Sequence, residues 1–403
     1  GRFNRQRVYH FLDGFLGLQS VPSDVHHREV VGFYGPGFGQ VFETVNGHPA
    51  SRLSEDALGL RQFETALRSG RTPNLRRLVE LAPGGLQSLT SVFPSTTTVA
   101  LTSLNTASTP AQHGMLGHRQ WIQEVGALCN MLRFTTEEAA PAAFSEELVR
   151  VVPTAYDRLA VAGIPSFSIS ASEYEGTAFT SLLSSGSTYV GYRAQSEISH
   201  LLASSIGAAG GGRVFYSIYW PMIDTLSHLY GPDASDTQEV CLSEMDFIDL
   251  MVGKVMEVCE RNGQTLIVTA DHEHAIAFNG YCGRGSSITG LCRQIDEAGT
   301  EALAEPALGD DGKPYTVAGY LNGPGSVMQE QADGTWSGSR PEVSADEAEG
   351  RDYMQQALLP TSSETHSGED VALFARGPWA HLFGGVMEQN EIFSVMNYAI
   401  KGQ

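Results

Sequence analysis

Several strands predicted from the sequence end in side chains that could bind a metal ion. The apolar, β-branched run Thr265–Ala270 predicts a buried strand of a parallel sheet, and Asp271 and His272 follow it directly. In open α/β sheets, ligands bind beyond the carboxyl ends of the strands. An Asp-His pair there offers one carboxylate oxygen and one imidazole nitrogen to a metal. Taken alone, the pair is better explained by a polar junction between strand and loop, so the metal interpretation depends on partners elsewhere in the chain.

Other segments supply those partners. The strand-like run 214–220 leads into Asp224 and His228, whose spacing of four places both on one face of a helix. His366 precedes a further predicted strand, 371–375, and Asp13 follows the short run 8–12. Aspartate and histidine together form the oxygen and nitrogen sites typical of zinc. The candidate metal ligands are therefore Asp13, Asp224, His228, Asp271, His272 and His366.

Thr97 is the candidate nucleophile. A predicted strand runs into Phe93-Pro-Ser-Thr-Thr97, and helical Ala/Leu sequence follows. A hydroxyl at a helix N-terminus lies near the positive end of the helix dipole, and so does any anion beside it. A threonine-rich helix cap is the simpler interpretation. A metal bound to the threonine would make its alkoxide a competent nucleophile.

Composition narrows the class of protein. Of 403 residues, 41% are hydrophobic and 18% are charged, which is typical of a globular protein. The net charge of −21 argues against a nucleic-acid groove, because no basic stretch could neutralise phosphates. No apolar run approaches the roughly 18 residues of a membrane span, and this chain shows no signal-peptide pattern at its start. Cys282 and Cys292 flank a Gly/Ser loop and could be either a disulfide or free thiols.

Strands alternate with helices over about residues 70–275, which predicts a doubly wound, mostly parallel α/β sheet with helices on both faces. Thr72 and Pro73 indicate a helix start, with Thr72 as the cap. We expect one domain over residues 1–403 with an irregular N-terminal extension or insertion over 15–70. Residues 276–362, rich in Gly, Pro and acids, predict an inserted irregular/β subdomain near the site.

Longer strings resemble the alkaline phosphatase superfamily. Residues 265–400 resemble true alkaline phosphatases in Thr269-Ala-Asp-His272, Tyr320-Leu-Asn-Gly-Pro-Gly325 and Glu364-Thr-His366. Residues 72–130 resemble instead the phosphodiesterase/nucleotide pyrophosphatase branch, in Thr72-Pro-Asn-Leu, Phe93-Pro-Ser-Thr-Thr97 and His113-Gly114.

The resemblance implies a metal-dependent phosphate-ester hydrolase with two zinc ions per chain. Asp224, His228 and His366 would hold one ion. The other would be held by Asp13, Asp271, His272 and Thr97. It further implies that Thr97 attacks phosphorus and forms a phosphothreonine intermediate. His274 and His381, also in matching strings, would support the ligands or the structure.

Some positions depart from the family pattern. Tyr219 stands where alkaline phosphatases carry the Glu of a third, magnesium site, so no magnesium site is expected. His118 stands where the diesterase branch has an Asn that donates to the phosphoryl oxygen. His118 and Arg119 are the candidate substrate contacts, with Arg193 as a further cation to test.

The most favoured function is phosphomonoester hydrolysis of the alkaline phosphatase type. The alternatives are a phosphodiesterase/nucleotide pyrophosphatase or a metal-binding pseudoenzyme. The partner expected is a small phosphorylated substrate. The resemblance also implies a homodimer and favours a periplasmic or secreted location.

Overall fold

The computed structural model describes residues 50–55, 58–136, 152–210, 212–230, 238–299, 301–350 and 353–401. Asp13, and with it most of the predicted extension, lies outside these ranges.

Along the described chain the strands are numbered in sequence order. They are β1 (Ala50–Glu55), β2 (Gln87–Thr90), β3 (Arg119–Ile122), β4 (Ala127–Asn130), β5 (Thr135–Thr136), β6 (Ser166–Ala171), β7 (Thr188–Tyr192), β8 (Phe215–Trp220), β9 (Thr265–Ala270), β10 (Glu273–His274), β11 (Ile276–Phe278), β12 (Arg293–Ile295), β13 (Ala302–Pro306), β14 (Ala318–Gly323), β15 (Gln329–Glu330), β16 (Trp336–Ser337), β17 (Ala357–Pro360), β18 (His366–Ser367), β19 (Val371–Arg376) and β20 (Val386–Glu388).

The α-helices follow the same convention. They are α1 (Leu60–Ser69), α2 (Pro73–Leu81), α3 (Thr97–Thr106), α4 (Pro110–His113), α5 (Ala155–Val161), α6 (Ala178–Ser184), α7 (Ile198–Ala208), α8 (Met222–Tyr230), α9 (Gln238–Arg261), α10 (Ala345–Ala348) and α11 (Ile392–Lys401).

An eight-stranded sheet forms the centre of the fold, in the order β20-β2-β19-β9-β1-β8-β6-β7. Its pairings are parallel except those of β19, which runs antiparallel to β9 and β2. All six residues of β9 are buried, as expected for a central strand covered on both faces. The predicted doubly wound, mostly parallel α/β class is confirmed.

The structure differs from the prediction over residues 50–69. These lie within the range expected to be irregular, yet they form β1 and α1. β1 occupies the middle of the sheet, between β8 and β9. The run 50–55 has apolar residues only at Ala50 and Leu53 and lacks the continuous apolar character of a buried parallel strand, which is why periodicity missed it.

Residues beyond β9 form small sheets outside the central one. β11, β14 and β17 make a three-stranded sheet, and β12–β13 and β15–β16 make two-stranded pairs. Cys282 and Cys292 are joined by a disulfide in this region. Its role as an inserted subdomain over 276–362 stays a prediction.

Helix α2 begins at Pro73, as the sequence predicts, but its cap differs. The Thr72 hydroxyl makes no capping hydrogen bond and donates instead to the Ala66 carbonyl at 3.0 Å. Thr72 therefore ties α2 back to α1. Across the described residues, no helix combines the length and hydropathy needed to traverse a bilayer.

Candidate metal centre and nucleophile

The predicted ligands meet because the strands that carry them end together. β8 leads into α8, which carries Asp224 and His228, and β9 is followed by Asp271 and His272. β18, which carries His366, pairs with β10 just beyond β9. Parallel strands place their carboxyl ends at one edge of the sheet, so these side chains converge there.

Asp224, His228 and His366 form the first cluster. Asp224 Oδ1 lies 3.0 Å from His366 Nε2 and 3.4 Å from His228 Nε2. The two Nε2 atoms are 3.1 Å apart. Ligands bound tetrahedrally to zinc at 2.0–2.1 Å stand about 3.3 Å from one another, so these separations fit a single ion.

The hydrogen bonds behind this cluster also favour a cation. His228 Nδ1 lies 2.7 Å from the Glu364 carbonyl, and His366 Nδ1 lies 2.9 Å from the Ser95 carbonyl. A carbonyl only accepts, so each Nδ1 donates its hydrogen to a carbonyl. This orients both Nε2 atoms towards each other and towards the Asp224 carboxylate. A histidine whose other ring nitrogen is held by a carbonyl is the usual arrangement of a metal ligand, so the residues fit a metal ion.

His274 adjoins this cluster through Asp224. Its Nε2 lies 3.2 Å from Asp224 Oδ1, and its Nδ1 contacts the Glu364 carboxylate. Asp224, His228, His274 and His366 offer ligand atoms that all lie within 4.8 Å of one another. The supporting role expected for His274 agrees with its position between two carboxylates, and that role stays a prediction.

Thr97, Asp271 and His272 form the second cluster. Thr97 Oγ1 lies 3.2 Å from His272 Nε2, which lies 3.5 Å from Asp271 Oδ2. The rings of His272 and His366 stack with centroids 3.7 Å apart, so the two clusters adjoin. The backbone carbonyl of Asp271 accepts hydrogen bonds from Ser91 and Gln389, which fixes the turn after β9.

The protonation states suit metal binding, which needs ionised carboxylates and neutral imidazoles. Burial opposes ionisation of Asp224, but hydrogen bonds with His274 and His366 hold the pKa of its carboxyl well below the usual range. Burial lowers the pKa of His228 and takes that of His272 well below its ordinary value. Burial also opposes the charge of His274, yet hydrogen bonds with Asp224 and Glu364 raise its pKa to about 9.

Other predicted site residues lie apart from these clusters or outside the described chain. Asp13 falls outside the described residues. His118 and Arg119 are exposed, and His118 Nε2 lies 3.1 Å from the Asn130 side-chain amide. Arg193 and His381 are exposed, and the His381 ring contacts Trp379. The roles assigned to these residues stay predictions.

Two residues bear on the clusters and were missed by reasoning from sequence, one by its place in the sequence after β1 and one by its place in the structure. Glu55, the last residue of β1, pairs in register with Ala270, the last residue of β9. As Asp271 follows Ala270, Asp56 follows Glu55 in the sequence. The strand-then-carboxylate signal that singled out Asp13 is thus also present at Asp56. Arg133, the second position, lines a cavity together with Thr97 and Asp224.

That cavity has a volume of about 530 Å³, within the range of small-molecule sites. We call it the sheet cavity. It extends from Thr97 and Asp224 over one face of β1, β6 and β8 towards α6. Its walls combine aromatic and aliphatic side chains with several serines and two arginines, Arg52 and Arg133. Tyr219, at the position where a magnesium ligand would stand, also lines it.

Comparisons with known proteins agree with this geometry. The family model for type I phosphodiesterase / nucleotide pyrophosphatase matches residues 53–277, more than half of the chain. The alkaline phosphatase family model matches residues 229–401. The predicted division of the resemblance between the two branches is confirmed.

Curated relatives match the C-terminal part. The alkaline phosphatase of Gadus morhua is 40% identical over 152 residues, which is 38% of this chain and 28% of the relative. The tissue-nonspecific isozyme of Mus musculus is 39% identical over 158 residues, 39% of this chain and 26% of the relative. The chain thus spans about a quarter of the length of these relatives.

Among solved structures, murine ectonucleotide pyrophosphatase / phosphodiesterase 5 matches with a TM-score of 0.52 at 13% identity. The match covers 87% of this chain and 95% of the murine one, and at this identity it supports the fold alone. The match over residues 53–277 shows that this chain belongs to the type I phosphodiesterase/nucleotide pyrophosphatase family, within the alkaline phosphatase superfamily.

Proposed function

We propose that this chain is a metal-dependent phosphate-ester hydrolase in which Thr97 forms a covalent phosphothreonine intermediate. The observation that carries the proposal is the Thr97 hydroxyl, 3.2 Å from His272 and next to the Asp224 cluster. A nucleophile beside paired Asp/His groups that can hold metal ions is an arrangement suited to metal-assisted phosphoryl transfer. Phosphomonoesters are the preferred substrate class, as the alkaline phosphatase match supports.

Two zinc ions are the proposed cofactors, one at each cluster. Asp224, His228 and His366 would hold one, and Asp271, His272 and Thr97 would hold the other. When bound, such ions lower the pKa of a coordinated hydroxyl and neutralise the charge on phosphoryl oxygens. No magnesium site is proposed beside them, since Tyr219 is at that position.

The chain's own groups then position and attack the phosphoryl group. Thr97 Oγ1 attacks phosphorus, the bond to the ester oxygen breaks, and the alcohol leaves. Water then hydrolyses the phosphothreonine to phosphate and restores the hydroxyl. Thr97 is the first residue of α3, so the positive end of the helix dipole faces the phosphoryl oxygens. Arg133 and Arg119 are the proposed cationic contacts to those oxygens, and His118 is a proposed hydrogen-bond donor to them.

We propose Asp56 as the carboxylate that completes the second cluster, in place of Asp13. The support is the register of β1 with β9, which ends both strands at the same level, and the family match that begins at residue 53. Asp13 precedes that match by 40 positions.

Diesters of nucleotides form the second candidate substrate class. The diesterase family model covers Thr97 and both Asp/His pairs, and an inactive variant of the murine neighbour was solved in complex with AMP. The two classes differ in charge, because a monoester carries one more anionic oxygen than a diester. A cation that reaches this oxygen favours monoesters.

The deciding experiment measures metal content together with turnover. We expect about two zinc ions per chain and hydrolysis of p-nitrophenyl phosphate that chelation abolishes and zinc restores. Rates on an aryl phosphate against the matching aryl methyl phosphate then assign monoester or diester preference. Metal without turnover on either ester would show a metal-binding pseudoenzyme instead.

We propose a periplasmic or secreted location, because the disulfide between Cys282 and Cys292 is of the kind that persists in an oxidising compartment. Thiol titration with and without reductant in protein taken from its native compartment tests this. The homodimer implied by the resemblance stays a prediction, and light scattering decides it.

A further inference from the structure

The sheet cavity lies on a polar face of a buried sheet. Residues at alternating positions of three adjacent strands line it: Ser54, Ser168, Ser170, Ser217 and Tyr219. Parallel strands buried on both faces are ordinarily apolar throughout. Ser54 Oγ has no hydrogen-bond partner among the described residues, although Ser54 is only 1% exposed. Buried polar atoms without partners mark either a cost in stability or a place for a ligand.

Arg52 places a buried positive charge in this wall. Arg52 is 2% exposed and donates to the Leu104 carbonyl at 3.2 Å, Asn105 Oδ1 at 3.0 Å and Ser217 Oγ at 2.8 Å. All three acceptors are neutral, and no described carboxylate pairs with the guanidinium. Its Nε has no hydrogen-bond partner within the described chain. A buried charge without a counter-ion is costly, and burial lowers the pKa of Arg52.

Two lengths measure how far Arg52 lies from the phosphoryl site. Arg52 precedes Glu55, the end of β1, by three residues, which is about 10 Å along a strand. Its acceptor Leu104 follows Thr97 by seven residues along α3, which is again about 10 Å. The sheet cavity connects the two ends, because both Thr97 and Arg52 line it.

We infer that the sheet cavity receives the organic group of the phosphate ester and that Arg52 pairs with an anionic substituent about 10 Å from phosphorus. This inference rests on the proposed function. Aromatic walls from Tyr156 and Phe179 would contact the body of that group, and the serines its polar atoms. The substrate class is a phosphate ester of an alcohol or phenol that also bears a carboxylate or a second phosphate.

The test compares substrates that differ only in the distal charge. The probes are 4-(ω-carboxyalkyl)phenyl phosphates of increasing chain length, each with its methyl ester as the neutral counterpart. At the length that spans the cavity, kcat/KM for the acid should exceed that for the ester by about 10- to 100-fold, as expected for a charge-assisted hydrogen bond.

Substitution of Arg52 assigns the preference to that side chain. Arg52→Met should bring the acid-to-ester ratio close to one, and Arg52→Lys should retain part of it. The ratio is taken on one preparation, so loss of folded protein cancels from it. Arg68→Met is the matched control, because Arg68 is exposed and pairs with Glu64 on α1, and it should leave the ratio unchanged.

The outcomes separate the two proposals. Turnover with equal kcat/KM for acids and esters at every length overturns the inference and leaves the hydrolase intact. A preference that persists in Arg52→Met also overturns it. If no phosphate ester turns over, calorimetry with the phosphate-free 4-(ω-carboxyalkyl)phenols decides: the acid should bind the unsubstituted protein, and its methyl ester and the Arg52→Met variant should show no binding. Equal or absent binding overturns the inference.

Discussion

The hydroxyl of Thr97 combines two features that substitutions can separate. It is within 3.2 Å of a histidine, and it begins a helix whose dipole favours an anion. Either feature alone would explain a threonine at this position as a cap or a simple hydrogen-bond partner. Turnover that is lost with the oxygen while the metal ions stay bound distinguishes a nucleophile from a cap or a ligand.

We therefore predict that Thr97→Ala retains the metal ions and loses at least about 10³-fold in kcat, since it removes the attacking atom. Thr97→Ser keeps an oxygen at the same place and should stay within about 100-fold. Metal analysis and p-nitrophenyl phosphate kinetics measure both. Turnover of Thr97→Ala within tenfold of the unsubstituted protein would show that another group attacks.

A second prediction concerns the carboxylates at the strand ends. Asp271→Asn and Asp56→Asn should each lower zinc content and activity together, because each removes a charged ligand. Asp13→Asn is the matched comparison and should leave both unchanged. Loss of zinc in Asp13→Asn with none in Asp56→Asn would reverse the assignment.

At this scale the sequence predicted most of the candidate site. Asp224, His228, Asp271 and His366 each follow or precede an apolar strand, and the structure brings all of them together. Arg52 and Arg133 could not be predicted, because neither belongs to a motif. Their relevance arises only when strands and loops distant in sequence enclose the cavity.

Among the elements, α3 is held to the following turn by His113. Met115 N–H donates to His113 Nδ1 at 3.1 Å, and Ser103 Oγ lies 2.8 Å from Nε2. Since the Ser103 hydroxyl donates to the Val99 carbonyl, it accepts from Nε2–H. The imidazole is therefore neutral, and burial lowers its pKa from 6.5 to about 4.

This gives a prediction for acid stability. The unfolded chain binds a proton at His113 below pH 6.5 and the folded chain does not, so stability falls as pH drops from 6.5 towards 4. The full effect is on the order of 3 kcal/mol. His113→Asn removes the titrating imidazole, so its stability should decline less steeply over the same pH range. Urea denaturation at several pH values measures the unfolding free energy of both proteins. Parallel curves of unfolding free energy against pH would contradict the prediction.

Among the small sheets beyond β9, the Cys282–Cys292 disulfide closes a loop with a sequence separation of 10. A loop of this length contributes about 2–3 kcal/mol through the unfolded chain. We predict that Cys282→Ser with Cys292→Ser lowers unfolding free energy by that amount. Reductant should lower the unfolding free energy of the unsubstituted protein and leave that of the double variant unchanged. An equal response of the double variant to reductant would point to other thiols.

Element prediction failed where side-chain polarity disagreed with burial. β1 contains Ser51, Arg52 and Ser54, so its sequence pattern does not predict a buried strand. The apolar run 8–12, which does predict a strand, lies outside the described residues. Conversely β9, β8 and β19 were predicted within one or two residues, since their apolar character matches their environment. Register and pairing order depend on contacts between distant segments and do not follow from local periodicity.

For the whole molecule, the metal clusters connect parts of the chain that are far apart. Their members run from Thr97 on α3 to His366 on β18. A ligand that binds only the folded state stabilises it by mass action. We predict that chelation lowers the melting temperature by several degrees and that zinc, but not calcium, restores it. Calcium prefers oxygen ligands and lacks affinity for imidazole pairs. An unchanged melting temperature after complete zinc removal would contradict this.

The position of β1 in the sheet has a consequence for how the molecule is made. β1 pairs with β8 and β9. Its first residue, Ala50, is in register with Phe215 of β8 and with Thr265 of β9. Both partners lie more than 160 residues further along, so loop-closure entropy delays the pairing and folding is slow. On the ribosome, one edge of β1 stays open until β8 emerges and the other until β9 emerges. Open strand edges are the places where nascent chains associate wrongly. β1 is thus synthesised early and paired late. Arg52 and the serines of β1 make it a poor template for aggregation before its partner strands are synthesised.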